Sequence, residues 1–286
     1  MIPNADLLLM EERIWLLVSQ CGVPIYDFNF RDWFQTRAPY SPPDKVQAVA
    51  RVGAIANYDE FYSRCEAEGI FLINSPEQYR RATQLDVWYP FISELTPQSV
   101  CFRDKPTLEQ IKAQFHWPVF MKGARQTSRH QRKLSLIEND EDFLAAIGSY
   151  AVDPILKWQD VVCRKFVPLR TVTAADNDEV VEGSKMPRRF EFRTFWWKGK
   201  LAGAGRYWWE GSPYNWSENE RAAGLSIAAE AARRLDVPFL VVDIAQAATG
   251  EWIVIECNDG QESGYAGVSP FGLWQKIVEI EQEKAA

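Results

Sequence analysis

The sequence predicts a mixed α/β protein of the α+β kind, on three observations. Helix and strand signals alternate through the first hundred residues. A strand, a basic loop, a second strand and a helix then follow within about sixty residues. Near the C-terminus, the apolar runs Phe239-Leu-Val-Val-Asp243-Ile and Trp252-Ile-Val-Ile-Glu256-Cys-Asn258 flank a short turn, and each delivers oxygen-bearing side chains. Period-2 and period-3.6 patterns in one chain call for sheets with helices packed on them.

The 286 residues suffice for a large core. With 47% hydrophobic and 25% charged residues the composition is globular, which argues against disorder. A net charge of -7 argues against a general nucleic-acid binder. No apolar run approaches the roughly 20 residues that span a bilayer. The start, Met1-Ile-Pro-Asn-Ala-Asp-Leu, lacks the basic-then-apolar order of a signal peptide. Five scattered cysteines without a C-x-x-C pair read as a reduced, cytoplasmic chain. His116 and His130 are the sole histidines, which leaves little for a zinc site or a Ser/His hydrolase.

Residues 5–21 carry leucines, Ile14 and Leu17 at helical spacing and stop before Gly22, so a helix is expected there. Val46–Ala56 reads as a buried strand, Tyr58–Glu68 as a helix stopped by Gly69, and Ile70–Ile73 as a short strand. Ser75-Pro76-Glu77-Gln78 combines an N-cap, a proline at the first helical position and a capping-box glutamine. Thr107–Phe115 reads as a helix, Pro118–Lys122 as a strand, Gly123–Lys133 as a polar loop able to act as a lid, and Leu134–Ile137 as a strand. Asp140 is expected to cap the next helix. Asp160–Val167 is the following strand, and Phe190–Trp197 and Leu201–Trp209 form a hairpin about Lys198-Gly199-Lys200. Ser217 and Glu220 make a capping box ahead of a helix with Leu225, Ala228, Ala229, Ala232 and Leu235 on one face.

Chemistry concentrates in three places. Alternation puts Glu256 and Asn258 on one face of their strand, and Asp243 comes from its neighbour. Three such oxygen donors suit a hard cation of the Mg²⁺ type, which commonly bridges protein to nucleotide phosphates; a strand-end salt bridge is the competing reading. Lys122 ends a strand and precedes the loop Gly123-Ala-Arg-Gln-Thr-Ser128-Arg-His130, whose backbone amides can cover phosphates; a solvated lysine is the alternative. In Phe190-Glu191-Phe192-Arg193 one strand face is polar, and a guanidinium suits a phosphate, with a Glu191–Arg193 pair as competitor. Arg206 on the partner strand is expected to face the same way as Arg193 and to hold an acidic substrate.

The order of these parts resembles the ATP-grasp superfamily: strand lysine with loop, linking strand, arginine strand, then Asp followed by Glu-x-Asn. The resemblance covers residues from about 105 to 275, and the first hundred fit that superfamily's N-terminal α/β domain loosely. It implies three units: 1–104, an N-terminal α/β domain; 105–162, a small lid subdomain; and 163–286, a C-terminal subdomain carrying the magnesium site. It implies ATP and Mg²⁺, with two ions, as cofactors. Lys122 would hold the α- or β-phosphate under the loop containing Ser128, and Arg193 would contact the γ-phosphate. Cys163, Arg164, Lys165, Phe166 and Val167 would form the adenine hinge through backbone groups. Asp243, Glu256 and Asn258 would hold the metal, with Arg206, Gly260 and Gly264 beside the second substrate. The basic Arg164-Lys165 hinge departs from the acidic one of many members and resembles the divergent ATP-grasp branch named for an arginine and two lysines; Lys165 would then reach phosphate. The implied activity joins a carboxylate to an amine or thiol on a small molecule or peptide, through an acylphosphate, releasing ADP and phosphate. The alternatives are a phosphotransferase on the same fold or a non-catalytic nucleotide-binding module. Several relatives of this type are homodimers.

Overall fold

A computed structural model describes residues 7–11, 46–51, 55, 57–124, 131–154, 156–172, 188–209 and 213–285. Three sheets organise them. The first is parallel, in the order β1-β2-β3, from β1 (Leu7–Glu11), β2 (Val46–Arg51) and β3 (Ile70–Leu72). Helices α1 (Tyr58–Ala67), α2 (Pro76–Thr83) and α3 (Leu85–Ile92) follow. A helix was expected over residues 5–21, and residues 7–11 are a strand instead. Leu7-Leu8-Leu9-Met10 is an unbroken apolar run, which suits a parallel strand as well as a helix, so periodicity alone does not separate the two. The rest of that expected helix lies outside the described residues. Ser75 caps α2 through the full capping box, with its hydroxyl accepting from Gln78 N and Gln78 accepting in return.

The second sheet is antiparallel, in the order β4-β7-β5-β6, from β4 (Ser99–Phe102), β5 (Val119–Gly123), β6 (Leu136–Ile137) and β7 (Val161–Lys165). Helices α4 (Leu108–Lys112), α5 (Arg132–Ser135) and α6 (Asp140–Val152) accompany it. Ile111, Phe115, Met121, Phe143, Tyr150 and Cys163 fill the core on one face. This sheet takes β4 from before residue 105 and all of β7, so it crosses both boundaries expected around the small subdomain. Two local readings change. Asn139, not Asp140, caps α6, accepting from Asp142 N. The strand expected at 134–137 is a helical turn, α5, with a two-residue β6.

The third sheet, in the order β11-β10-β8-β9, is antiparallel: β8 (Glu191–Trp197), β9 (Lys200–Arg206), β10 (Phe239–Gln246) and β11 (Trp252–Asp259). Helix α7 (Glu218–Leu235) covers one face, over Phe192, Trp196, Leu240, Val242, Ile244, Val254 and Cys257. Its buried stripe is Gly224, Ala228, Ala231, Ala232 and Leu235, one position round from the expected stripe, and at Gly224 an added Cβ would lie 3.1–3.2 Å from Ile244 and Trp252. Helix α8 (Pro270–Ala285) covers part of the other face, over Phe195, Trp197, Phe239 and Val241. Trp196 and Trp197 are therefore core residues of opposite faces.

The segment after β11 is locked to the first sheet by buried polar groups. Asn74 accepts from Phe239 N (2.9 Å) and donates to Phe239 O (2.8 Å) and Asp259 Oδ1 (2.9 Å). Arg51 donates to Gly260 O and to Ser263 O (2.6 Å), and its guanidinium lies 4.0 Å from the centroid of the Tyr265 ring. Gln261 accepts from Ala50 N (3.1 Å) and donates to Tyr58 Oη (2.8 Å). Buried groups this well satisfied make the segment rigid. Gly260 is forced by packing: a Cβ there would sit 2.5–2.6 Å from the buried Phe239 ring. Gly260→Ala is expected to cost about 1–3 kcal/mol, seen as a lower Tm in thermal melts; an unchanged Tm would contradict this packing.

Candidate active site

The register of the third sheet builds the site. Asp243 on β10 pairs with Arg193 on β8 and with Glu256 on β11, so the three side chains form one row on one face. Arg193 Nε and Nη2 donate to Asp243 Oδ1 and Oδ2 at 2.9 and 2.7 Å, a bidentate pair, and Nη1 donates to Gly264 O at 2.8 Å. Tyr207 lies against the guanidinium, with its ring centroid 5.0 Å away. From the second sheet, Lys122 reaches across and its ammonium pairs with Glu256 Oε1. Two cations thus flank two adjacent carboxylates where the two antiparallel sheets meet.

A β-bulge sets the phase of this row. Asp243 faces Glu256, but Ile244 faces Val254, so Ile255 is the extra residue. Without it, Val254 and Cys257 could not both enter the core under α7 while Glu256 and Asn258 point the other way. Arg164 stabilises the bulge. Its buried side chain donates to Ile255 O (2.6 Å), to Ser99 Oγ (2.9 Å) and to Thr96 Oγ1, which itself donates to Val254 O (2.8 Å). Burial lowers Arg164 to about 10, against the raising influence of Glu256.

Burial raises the Asp243 carboxyl above its ordinary range although Arg193 opposes the rise, and Glu256 adds to it. Burial acts in the same sense on Glu256, but Lys122, with support from Arg164 and Arg193, outweighs it and holds that carboxyl below its ordinary value. Burial works to lower Arg193, but the Asp243 carboxylate prevails and raises the guanidinium. Asn258 lies beside Glu256 on β11. Among the described residues no cluster of three His, Cys, Asp or Glu side chains has metal-holding geometry. The donor set is two carboxylates and an amide, already all-oxygen, as a hard cation requires.

Not every expected residue joins the row. Arg206 pairs with Phe192, and Arg193 with Gly205, so Arg206 leaves the hairpin on the opposite face from Arg193. Expecting the two arginines to face the same way is corrected by this register, which cannot be counted from the sequence because a bulge offsets β9 between Phe195 and Trp196. Gly264 touches Arg193 through its carbonyl, whereas Gly260 is packed into the core. Lys165 pairs with Val119 on the face opposite Lys122 and is exposed, so its side chain points away from the row; its N–H donates to Gln98 O (2.8 Å). The Cys163 side chain is buried in the small core, its thiol pushed up to about 12 by burial, which leaves only its backbone for a ligand. Phe166 and Val167 are half-buried just beyond β7. Ser128 and most of the loop Gly123–Lys133 lie outside the described residues.

One site residue escaped the sequence reading. Glu191 shares its strand face with Arg193, and burial pushes it up to about 8, with Asp243 adding to the rise and Arg189 and a Trp208 hydrogen bond opposing it. The alternation Glu191-x-Arg193 is the signal, and the competing reading of it, an ion pair of those two residues, is not what forms: Arg193 pairs with Asp243. The folded state then binds more protons at Glu191 than the unfolded chain between its ordinary 4.5 and about 8, so its contribution to stability falls as pH rises through that window. Glutamine cannot titrate. In ligand-free melts the Tm of the wild type should drop relative to Glu191→Gln by at least about 2 °C from pH 5 to 8; parallel profiles would show that Glu191 is not so perturbed.

Two antiparallel sheets with a charged row between them are the architecture of the ATP-grasp fold, and the comparisons agree. Residues 102–277 match an ATP-grasp domain family, the third family of the clade named for an arginine and two lysines, and the chain belongs to that family. Among solved structures it is similar to the RimK domain protein ATP-grasp from Sphaerobacter thermophilus DSM 20745, with TM-score 0.56, 13% identity, and 96% of this chain and 98% of that one covered. It is also similar to D-alanine--D-alanine ligase from Bacillus anthracis, complexed with ATP, with TM-score 0.61, 11% identity and 97% and 98% covered. L-amino acid ligase from Bacillus licheniformis follows with TM-score 0.54, 13% identity and 90% and 67% covered. At these identities the likeness is one of fold. No curated protein matches the chain significantly. An ATP-grasp fold implies ATP binding. Among the described residues no helix is long and apolar enough to cross a membrane.

Proposed function

We propose that this protein is an ADP-forming ligase that joins a carboxylate to an amine through an acylphosphate. The observation that carries the reading is the row Lys122–Glu256–Asp243–Arg193, in which each cation is held ready by a carboxylate. Asp243, Glu256 and Asn258 are proposed to hold Mg²⁺, which when bound would supply charge neutralisation at the phosphates. Metal would give both carboxylates a new counter-charge and free Lys122 and Arg193 to turn to phosphate oxygens. Lys122, on a rigid strand, acts as a point charge at the α- or β-phosphate. Arg193 donates to the γ-phosphoryl oxygens as they pass to the substrate carboxylate, and stays aimed by Gly264 O. The amine then displaces phosphate from the acylphosphate. No side-chain nucleophile is required, which fits a site built of ion pairs.

The test is product analysis. Purified protein, MgATP and a panel of carboxylates, amines and short peptides should give ADP, phosphate and a condensed product in equal amounts. A phosphorylated product without free phosphate would make the protein a kinase, and release of AMP with pyrophosphate would exclude the acylphosphate route.

A further inference from the structure

A cavity of about 560 Å³ opens at the end of β9, within the range of small-molecule pockets. Its wall is aromatic and fixed. Trp216 stacks on buried Phe192 at 3.9 Å with planes 8° apart, and Tyr214 meets Phe192 edge-on at 5.4 Å. The Tyr214 hydroxyl donates to Glu191 O (2.6 Å) and accepts from Trp208 N (3.1 Å), so the ring has little freedom left to lose on binding. Among the described residues Arg206 is the only charged side chain in the lining; its guanidinium lies 5.9 Å from the Tyr214 ring centroid, and no described lining carboxylate opposes it. Asn215 adds a side-chain amide.

The cavity is tied to the charged row although Arg206 and Arg193 leave opposite faces. The loop that gives Arg193 the Gly264 carbonyl reaches the cavity three residues later, where Gly267 lines it and donates to Arg206 O (2.9 Å). Glu191, whose carbonyl anchors Tyr214, is two residues from Arg193.

We propose that this cavity is the recognition pocket for a ring-bearing carboxylate. The anion pairs with Arg206 and the ring lies along the Tyr214–Trp216 wall. The carboxylate recognised there is not the one activated, because Arg206 faces away from the phosphate-binding row; the reacting group passes round the end of β9 toward Arg193. The pocket's role as a substrate subsite rests on the ligase reading, whereas the binding itself does not.

Calorimetry without nucleotide tests the binding. The probes are 3-phenylpropionate, L-phenylalanine and L-phenylalaninamide. Wild-type protein should bind the two carboxylates saturably and the amide at least about 10-fold more weakly, since a charge-assisted hydrogen bond is lost. Arg206→Gln should weaken 3-phenylpropionate by a similar factor with Tm unchanged, and Trp216→Leu should weaken both carboxylates. Absence of saturable binding to the wild type, or equal binding by Arg206→Gln, would overturn the proposal and leave the ligase reading standing. If binding holds but no ring-bearing acid elicits ADP release from MgATP, the substrate role fails, and the ligase reading is then judged on other substrates.

Discussion

Glu256→Gln should leave a folded protein with turnover lowered at least about 1,000-fold, the scale on which electrostatic groups at a transferring phosphate act. The carboxylate is the partner of Lys122 and lies in the row beside Asp243. Glutamine keeps the shape and one acceptor oxygen for Lys122 but removes the negative charge. A metal held by Asp243, Glu256 and Asn258 would lose one of its two charged ligands, and Lys122, only 8% exposed, would lose its counter-ion. The second effect bears on stability and the first on turnover, so they separate. Tm should stay within about 5 °C of the wild type, while ADP formation at saturating MgATP collapses. A variant that kept near-wild-type rates would remove Glu256 from the metal site. A variant that failed to fold would show instead that the Lys122–Glu256 pair is chiefly the clasp between the two sheets, and Lys122→Met/Glu256→Gln, which removes both charges, should then refold.

Arg193→Ala has the second large effect. Its guanidinium spends two donors on Asp243 and one on Gly264, so the native side chain is aimed before any ligand arrives. Losing a group that acts on the phosphoryl while it transfers should lower kcat about 100- to 1,000-fold and change KM for ATP by less than about 5-fold. Initial rates over a range of ATP give both numbers. A rise in KM with kcat unchanged would make Arg193 an anchor for bound nucleotide. Asp243, 3% exposed, is left without its partner in this variant, and its carboxyl should be driven further upward by burial. Added MgCl₂ should therefore restore Tm more in Arg193→Ala than in the wild type, provided Asp243 is a ligand.

Most strands, two capping boxes and the acidic pair are legible because each depends on neighbours in the chain. Ser75 and Ser217 cap as their three-residue spacing to Gln78 and Glu220 requires. The two acidic strands form the expected antiparallel pair, and Asp243 does meet Glu256. Where alternation was extended across strands it failed. Arg206 was placed with Arg193, and a bulge in the hairpin together with the pairing of Phe192 to Arg206 puts it on the other face. The phosphate role that the resemblance implies for the Lys165 side chain meets a different obstacle: its pairing with Val119 turns it away from the row.

By itself, then, the sequence determined which residues carry charge at strand positions and where the helices capped by Ser75 and Ser217 begin, since propensity, capping and period-2 alternation act over a few residues. Only the tertiary structure decided which charges meet. Arg193 holds Asp243 rather than Glu191, Lys122 crosses 134 residues to Glu256, and the Arg164 side chain stabilises the bulge at Ile255. The physical reason is register: one extra residue in a strand reverses every side chain beyond it, and that choice is made by core packing against α7 and α8.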